Sequence, residues 1–425
     1  MNPFYIVSLY MQVTVSYFQS DYYSTSRVFL TVQDSLGTCF RIYTINLPYA
    51  GDILAKLRVA LIFGGKSVEH EVSLRSAKSI ADNIDTELYE IFPIYIRKNG
   101  KWCRASLLDW EEGATPDFNS DTVLSPSLDP DKPVFYELSG DSIVAEHRVD
   151  VIFPILHGTY GEDGTVQGLF ELMDAAFVGA YVLGSSIGMD KIIMKAVLKE
   201  NGLPVVDYIG FTRHEWEAGR EELTKSLGEK IGLPCFVKSA DLGSSVGVSK
   251  VKTHEKLQSS IDFSCQFSNR ILVEKAVTEP KEIEVSVLGN DELTASPPGE
   301  IVPHREFYDY KAKYIEDGTK LIAPAELDDE TASTIQGLAV KAYRALDCKG
   351  MGRVDFLIDG SSDEIFISEI NTIPGFTSIS MFPKLLGLCG ISYKELITNL
   401  INLALEMKSS NDVKKTDLNA IKDIQ

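Results

Sequence analysis

The densest cluster of reactive residue types lies in Arg353–Asn371, where two alternating segments flank the polar break Asp359–Asp363. A short polar break between two alternating runs predicts a β-hairpin. With Ile358 opposite Glu364, Arg353 would stand opposite Glu369. Side chains alternate between the two faces of a strand. Arg353, Asp355, Glu369 and Asn371 would then share one face, and Val354, Phe356, Ile358, Phe366 and Ile370 the other. Two carboxylates, an amide oxygen and a guanidinium suit Mg²⁺, which keeps few protein ligands and takes further oxygens from phosphates and water. A salt-bridged solvent face would show the same alternation. The segment Asn371-Thr372-Ile373-Pro374-Gly375, which follows directly, favours the metal and a Mg-ATP chemistry.

Phosphate handling needs cations and close backbone N–H groups. Gly65-Lys66-Ser67 resembles the end of a P-loop, but Ala60 stands where its first glycine belongs. Gly64-Gly65 alone could also hint at a dinucleotide loop, yet the full GxGxxG of a NAD-dependent dehydrogenase is missing. Gly243–Gly247 is the better candidate, because its small residues let backbone amides approach phosphate oxygens. An ordinary Gly/Ser turn would read the same way. Lys238, at the end of the preceding strand, and Lys191, at a helix start, are candidate cation partners. Phe307–Tyr314 (FYDYKAKY) reads as a water-excluding lid, although a Tyr-rich loop also serves simple packing. Glu69 and His157 each lie just past a strand, where α/β sites form, and either could also be a satisfied structural residue.

These residues need a scaffold. Arg58–Phe63, Ile91–Ile96 and Val149–Leu156 read as buried strands, with helices carrying Ala77, Ile80, Ala81 and Ile84 and starting near Thr165. Strand, Gly-rich loop and helix in repetition predict a parallel α/β domain with its site at the strand C-terminal ends. Residues 105–142, rich in Asp, Pro and Ser, read as a long surface insertion. From Leu183 a second unit holds helices at Asp190–Asn201 and Lys225–Ile231, then the flap-like hairpin Leu233–Lys238 and Val248–Val251. A third unit runs from Ile271 to Met407, with strands near 271–275, 283–288, 352–358 and 364–370 and a helix at 330–346. Residues 408–425 form a polar tail.

A chain of 425 residues is long enough for several domains. Its net charge of −20 argues against a general nucleic-acid or anionic-membrane binder. Six scattered cysteines without CxxC spacing read as free thiols in a reducing compartment, and no run is long and apolar enough for a membrane span. The expected location is cytoplasmic. Residues 1–56 mix Tyr, Ser, Thr and Val without periodicity and lack the basic start of a signal peptide. No methionine lies between Met11 and Met173, so an N-terminal extension produced by gene calling, with synthesis starting near Leu54 or Leu57, is one expectation.

GGKSVEHEVS (64–73), HGTYGEDGTVQG (157–168), GMDK (188–191), GSSVGVSKV (243–251), VEK (273–275), FYDYKAKY (307–314), GRVDF (352–356) and EINTIPGFTSIS (369–380) occur together and in order. On these motifs Leu57–Met407 resembles the D-alanine–D-alanine ligase family of the ATP-grasp superfamily. The resemblance implies a three-domain α/β (α+β) fold: a Rossmann-like N-terminal domain (57–182), a central ATP-grasp subdomain (183–270) and a C-terminal metal-binding domain (271–407).

The resemblance also implies roles. Lys191, Lys238, Ser245 and Lys313 would contact ATP phosphates, and Glu274, Lys275 and Glu282 would hold adenine and ribose. Asp355, Glu369 and Asn371 would bind two Mg²⁺ ions, with Mn²⁺ as an alternative. Glu69 and His157 would position the first D-alanine, Ser380 and Arg353 the second. Ser244 and Tyr314 would help Glu69 latch the lid, while Arg353 and the Gly375 N–H would stabilise the oxyanion formed when an amine attacks an acyl phosphate. The intact lid motif and Met381, where D-serine-using relatives tend to carry Arg, favour D-alanyl-D-alanine for peptidoglycan over products of D-lactate or D-serine. A homodimer is implied as well. A catalytically silent ATP-binding protein would have lost Arg353, Glu369 or Lys313.

Overall fold

The computed structural model describes residues 56–105, 122–244, 246–302, 320–377 and 379–412, together with the backbone of three strands in 12–48. These strands, Gln12–Gln19 (β1), Thr25–Gln33 (β2) and Cys39–Pro48 (β3), form an antiparallel sheet in a unit of their own, Met1–Lys56. Leu57–Gln425 is a second unit.

The second unit opens with Leu57–Gly64 (β4), His70–Asn83 (α1), Tyr89–Ile96 (β5) and Trp102–Arg104 (β6). Helix α1 buries Leu74, Ala77 and Ile80 at helical spacing. Next come Val123–Pro126 (β7), Val134–Ser139 (β8) and Ser142–Arg148 (β9), an antiparallel sheet where a bare insertion was expected. Composition hid it, but Leu124, Val134 and Phe135 are buried and anchor it. Val151–Pro154 (β10) leads to Thr165–Leu172 (α2). The first sheet has the order β10-β4-β5-β6, with β4 parallel to both neighbours and β6 antiparallel at the edge.

The chain continues through Val182–Met189 (α3), Lys191–Glu200 (α4), Tyr208–Thr212 (β11), Arg213–Ala218 (α5) and Arg220–Lys230 (α6). Cys235–Ser239 (β12) and Ser249–Val251 (β13) pair as the antiparallel flap, followed by His254–Ser264 (α7) and Arg270–Lys275 (β14). Strand β14 pairs with β11 and β12 in the sheet β11-β14-β12-β13. The sequence counted this strand with the third unit; backbone pairing puts it in the middle of the second sheet.

Lys281–Leu288 (β15), Thr294–Ala295 (β16), Gly299–Val302 (β17), Lys320–Ile322 (β18), Asp329–Ala345 (α8), Met351–Ile358 (β19) and Ile365–Asn371 (β20) follow. Their antiparallel sheet runs β18-β17-β15-β19-β20, with β16 on β15. Met381–Leu388 (α9) and Tyr393–Asp412 (α10) close the unit. The helix runs five residues into the expected polar tail, and Lys408 there pairs with Asp174 at 3.0 Å. Leu396, Ile397, Leu400 and Ile401 of α10 share one apolar core with Val59, Leu61 and Phe63 of β4 and with Phe376. Strand and terminal helix thus bury each other's apolar faces, and the loop after β20 is drawn against the end of the parallel sheet.

Candidate functional site

Strands β19 and β20 form the expected hairpin, in a different register. Asp359 N–H donates to the Glu364 carbonyl at 2.9 Å, and Asp359 Oδ1 accepts from Ser361 and Ser362 N–H at 2.8 and 3.2 Å. That turn closes at Glu364, so Ile358 pairs with Ile365 rather than Glu364. A one-residue slip moves side chains to the opposite face, which puts Ile367, not Phe366, in the core. A bulge then skips Ser368 between the pairs Phe356–Ile367 and Asp355–Glu369 and restores the original face. Arg353 therefore lies opposite Asn371 and Asp355 opposite Glu369, with all four still together.

The Arg353 guanidinium binds Asp355 bidentately, Nε and a terminal nitrogen each at 2.7 Å. It also lies 3.2 Å from Glu284 Oε2. Burial disfavours its charge, but Asp355 and Glu284 outweigh that and push its pKa well above the usual arginine value. Asn371 Nδ2 donates to Asp355 Oδ2 at 3.0 Å, and Lys191 Nζ approaches Glu369 Oε2 at 3.4 Å. Glu284 joins the site without a motif to mark it, although strand alternation carries the signal. Ile283, Val285 and Val287 are core residues, so Glu282 and Glu284 must take the other face of β15, where Glu284 is the partner of Asp355. The donor set of Asp355, Glu369 and the Asn371 amide oxygen fits a hard divalent cation. Among the described residues no His, Cys, Asp or Glu group of three or more could hold a metal. A pair of carboxylates suits an ion that completes its shell with phosphate and water.

The parallel sheet supplies the other wall. Glu69 stands at the N-terminal boundary of α1 without a side-chain capping bond, and Ser244, with φ +48°, donates its hydroxyl to Glu69 Oε1. Glu69 Oε2 is buried without a hydrogen-bond partner among the described residues. A Cβ at Gly158 (φ +75°) would sit 2.5 Å from this oxygen, and one at Gly243 2.9 Å. Two backbones thus crowd a carboxylate oxygen that has no donor among the described residues.

His157 is spoken for. Its Nδ1 donates to the Ile373 carbonyl at 2.9 Å, so Nε2 accepts from Ser76 Oγ at 3.2 Å. Burial lowers its pKa, so it is neutral at pH 7. Its place is a strut between the loop after β10 and the loop after β20. Glu162, which the sequence did not single out, ties the same loops by accepting from Gly158 N–H at 2.8 Å and Ile373 N–H at 3.4 Å.

Burial and then the charge of Glu69 push the Glu162 pKa up to about 8. Native protein therefore binds a proton there that the unfolded chain loses near the ordinary carboxylate value. The associated stability is fully present below that value and disappears as pH rises through about 8. Glu162→Gln, which mimics the protonated form, is expected to flatten the fall in melting temperature between pH 6 and 9. An unchanged pH profile in the variant would refute this.

Beyond the strut, Gly375 packs beside Ser380, whose hydroxyl accepts from Thr377 N–H at 3.0 Å at the start of α9. Met381 is buried in a small apolar cluster with Ile301 and Leu385.

Helix α4 and strands β12 and β14 form the third wall. Asp190 caps α4, accepting from Ile192 and Ile193 N–H at 3.0 Å each, and pairs with Arg270 at 2.5 Å. Lys191 Nζ donates to the Leu242 carbonyl at 2.9 Å at the base of the flap. Lys238 pairs with Glu274 Oε1 at 2.5 Å, and the buried Lys195 lies 3.1 Å from Glu274 Oε2. Burial would raise the Glu274 pKa; Lys195 and Lys238 overcome it and hold it down to about 2. Lys275 is exposed on the opposite side of β14, as strand alternation requires. Ser245, Lys313 and Tyr314, with the lid FYDYKAKY, lie outside the described residues. A cavity of about 270 Å³ opens beside His157 between Lys66, Trp102, Leu156 and Tyr160, and none of the hairpin residues line it. No described helix is long and apolar enough to cross a membrane.

Two family models match: "D-ala D-ala ligase N-terminus" over residues 58–180 and "D-ala D-ala ligase C-terminus" over 197–402. A D-alanine–D-alanine ligase of Natranaerobius thermophilus is 48% identical over 366 residues, 86% of this chain and 99% of that protein. One from Bacillus cytotoxicus is 45% identical over 369 residues, 85% and 100%. Among solved structures, the D-alanine–D-alanine ligase from Coxiella burnetii matches with a TM-score of 0.72 and 32% identity, covering 84% of this chain and 96% of that one. The VanG D-Ala:D-Ser ligase from Enterococcus faecalis gives 0.72 and 34%, over 82% and 100%.

Proposed function

This chain belongs to the D-alanine–D-alanine ligase family, and we infer from that membership and from its site that it is an ATP-dependent ligase joining two D-alanine molecules for peptidoglycan precursors. The observation that carries the site assignment is the single face of β19 and β20, where Arg353 is fixed between Asp355 and Glu284 beside Glu369, Asn371 and Lys191. Lys191 and Lys238, with Ser245 and Lys313, hold the ATP phosphates; Glu274 and Glu282 hold adenine and ribose. Lys275 takes part through its backbone, since its side chain points away. Asp355, Glu369 and Asn371 would hold two Mg²⁺ ions, which would supply neutralisation of the charge on the transferring phosphoryl group.

Glu69 Oε2 receives the ammonium of the first D-alanine, whose carboxylate takes the γ-phosphoryl group to become an acyl phosphate. The neutral amine of the second D-alanine attacks that carbonyl. Arg353 and the Gly375 N–H stabilise the oxyanion, and phosphate leaves as the peptide bond forms. Preorganised donors of this kind commonly supply the largest single catalytic term. His157 and Glu162 keep the Gly375 loop in place rather than touching substrate. Ser380 supports that loop and the second D-alanine, while Met381 shapes its pocket from within the apolar cluster. Ser244 and Tyr314 latch the lid through Glu69. The three enclosing domains include β14 in the central one. The enzyme acts in the cytoplasm as a homodimer.

The test is ADP release by the full chain with Mg-ATP and D-alanine, with products identified by mass. D-Alanyl-D-alanine is expected from D-alanine alone, D-serine or D-lactate should add no dominant mixed product, and chelation of divalent metal should stop turnover. Absence of D-alanine-dependent ADP would refute the assignment; a dominant mixed product would reassign the second substrate.

A further inference from the structure

Lys195 carries no assigned role toward ATP or D-alanine, yet it is a fully buried lysine, 1% exposed. Lysines are rarely buried without a partner, and its partner is Glu274, itself 3% exposed. Glu274 is shared: Oε2 faces Lys195 at 3.1 Å and Oε1 faces Lys238 at 2.5 Å. The two lysines differ in access, because the Lys238 side chain retains 17% exposure and the Lys195 side chain 1%. Lys195 sits one helical turn after Lys191 on α4, so both project from the same face. One turn of helix thus delivers a cation to the carboxylate of the metal hairpin and another beneath the carboxylate of the nucleotide wall. Neither Lys195 Nζ nor Glu274 Oε2 has an aligned hydrogen-bond partner. Their contact at 3.1 Å is an ion pair closed off from solvent.

We propose that Lys195 is a positioning residue for nucleotide binding, which holds Glu274 from below as a fixed anion so that Lys238 can turn from Glu274 to the ATP phosphates. This rests on the assignment of Lys238 and Glu274 to the nucleotide site. A buried carboxylate stripped of its sole cation is strongly disfavoured. Without Lys195, Lys238 would be that sole described cation, and its transfer to phosphate would strand Glu274. With Lys195 in place, Glu274 keeps a cationic partner throughout.

The experiment measures dissociation constants for a non-hydrolysable ATP analogue with Mg²⁺, and steady-state KM for ATP and D-alanine, in Lys195→Met, Glu274→Gln and the double variant. Lys195→Met is expected to weaken nucleotide binding by about tenfold or more, the scale of a lost charge-assisted contact. KM for D-alanine should stay within about twofold, a split that general loosening of the fold would not give. The double variant should bind nucleotide no worse than Glu274→Gln alone, because with the carboxylate neutral Lys195 has nothing to hold. That comparison stands even if Lys195→Met alone does not fold. Nucleotide affinity unchanged in Lys195→Met, or additive losses in the double variant, would overturn the proposal while Glu274→Gln still weakens binding. No loss in Glu274→Gln itself would overturn it together with the nucleotide-site assignment.

Discussion

Arg353→Met is expected to lower kcat by about 10²–10³-fold, the cost of losing one preorganised oxyanion donor. The substitution also strips Asp355 and Glu284 of the cation that binds both, at 2.7 and 3.2 Å. Removing one member of a buried ionic cluster costs about 3–5 kcal/mol of stability, so the variant should melt well below the parent. The two effects separate by measurement. ATP and D-alanine binding to the folded variant, followed at low temperature, should survive far better than turnover. A folded variant with more than about a tenth of parental kcat would remove Arg353 from the chemistry.

Gly158→Ala is expected to be nearly as damaging from much further along the chain. Its φ of +75° is costly for any residue with a Cβ, about 1–2 kcal/mol. The new methyl group would lie 2.5 Å from Glu69 Oε2 and must displace it. KM for D-alanine should rise by at least about tenfold, the scale of one charge-assisted hydrogen bond, while nucleotide affinity stays near the parental value. Glu69→Gln leaves the backbone alone and removes only the charge. It should reproduce the D-alanine defect without the loss of melting temperature. If Gly158→Ala affected stability but not D-alanine, Glu69 Oε2 would not be the receptor.

Much of the site was legible because strand alternation is local. Arg353, Asp355, Glu369 and Asn371 fall on one face once two strands and a turn are recognised, and a lysine just after a capping Asp is a recognisable helix start. Their exact pairing was not legible. It depends on Asp359 closing the turn at Glu364 and on the extra residue Ser368, two irregularities whose slips cancel. Glu284 and Lys195 are illegible in sequence for a different reason. Each is one polar residue in an alternating or amphipathic run, and only contact with Arg353 or Glu274 gives it meaning.

His157 is a further case. Its position after a strand is legible in sequence, whereas its bonds to Ile373 and Ser76, far apart from each other in the chain, are not. The meander β7–β9 is hidden by composition, and the pairing of β14 with β11 and β12 is not legible because pairing partners are not written in a strand.

By itself the sequence determined the residue types for phosphate, metal and carboxylate chemistry, their order, and the α/β scaffold, since propensity, alternation and motif spacing act over a few residues. Only the tertiary structure decided register, sheet membership and which buried charges are shared. Those depend on contacts between segments far apart in the chain, such as α10 on β4, Ser244 on Glu69 and Lys195 under Glu274, where packing and desolvation are settled jointly.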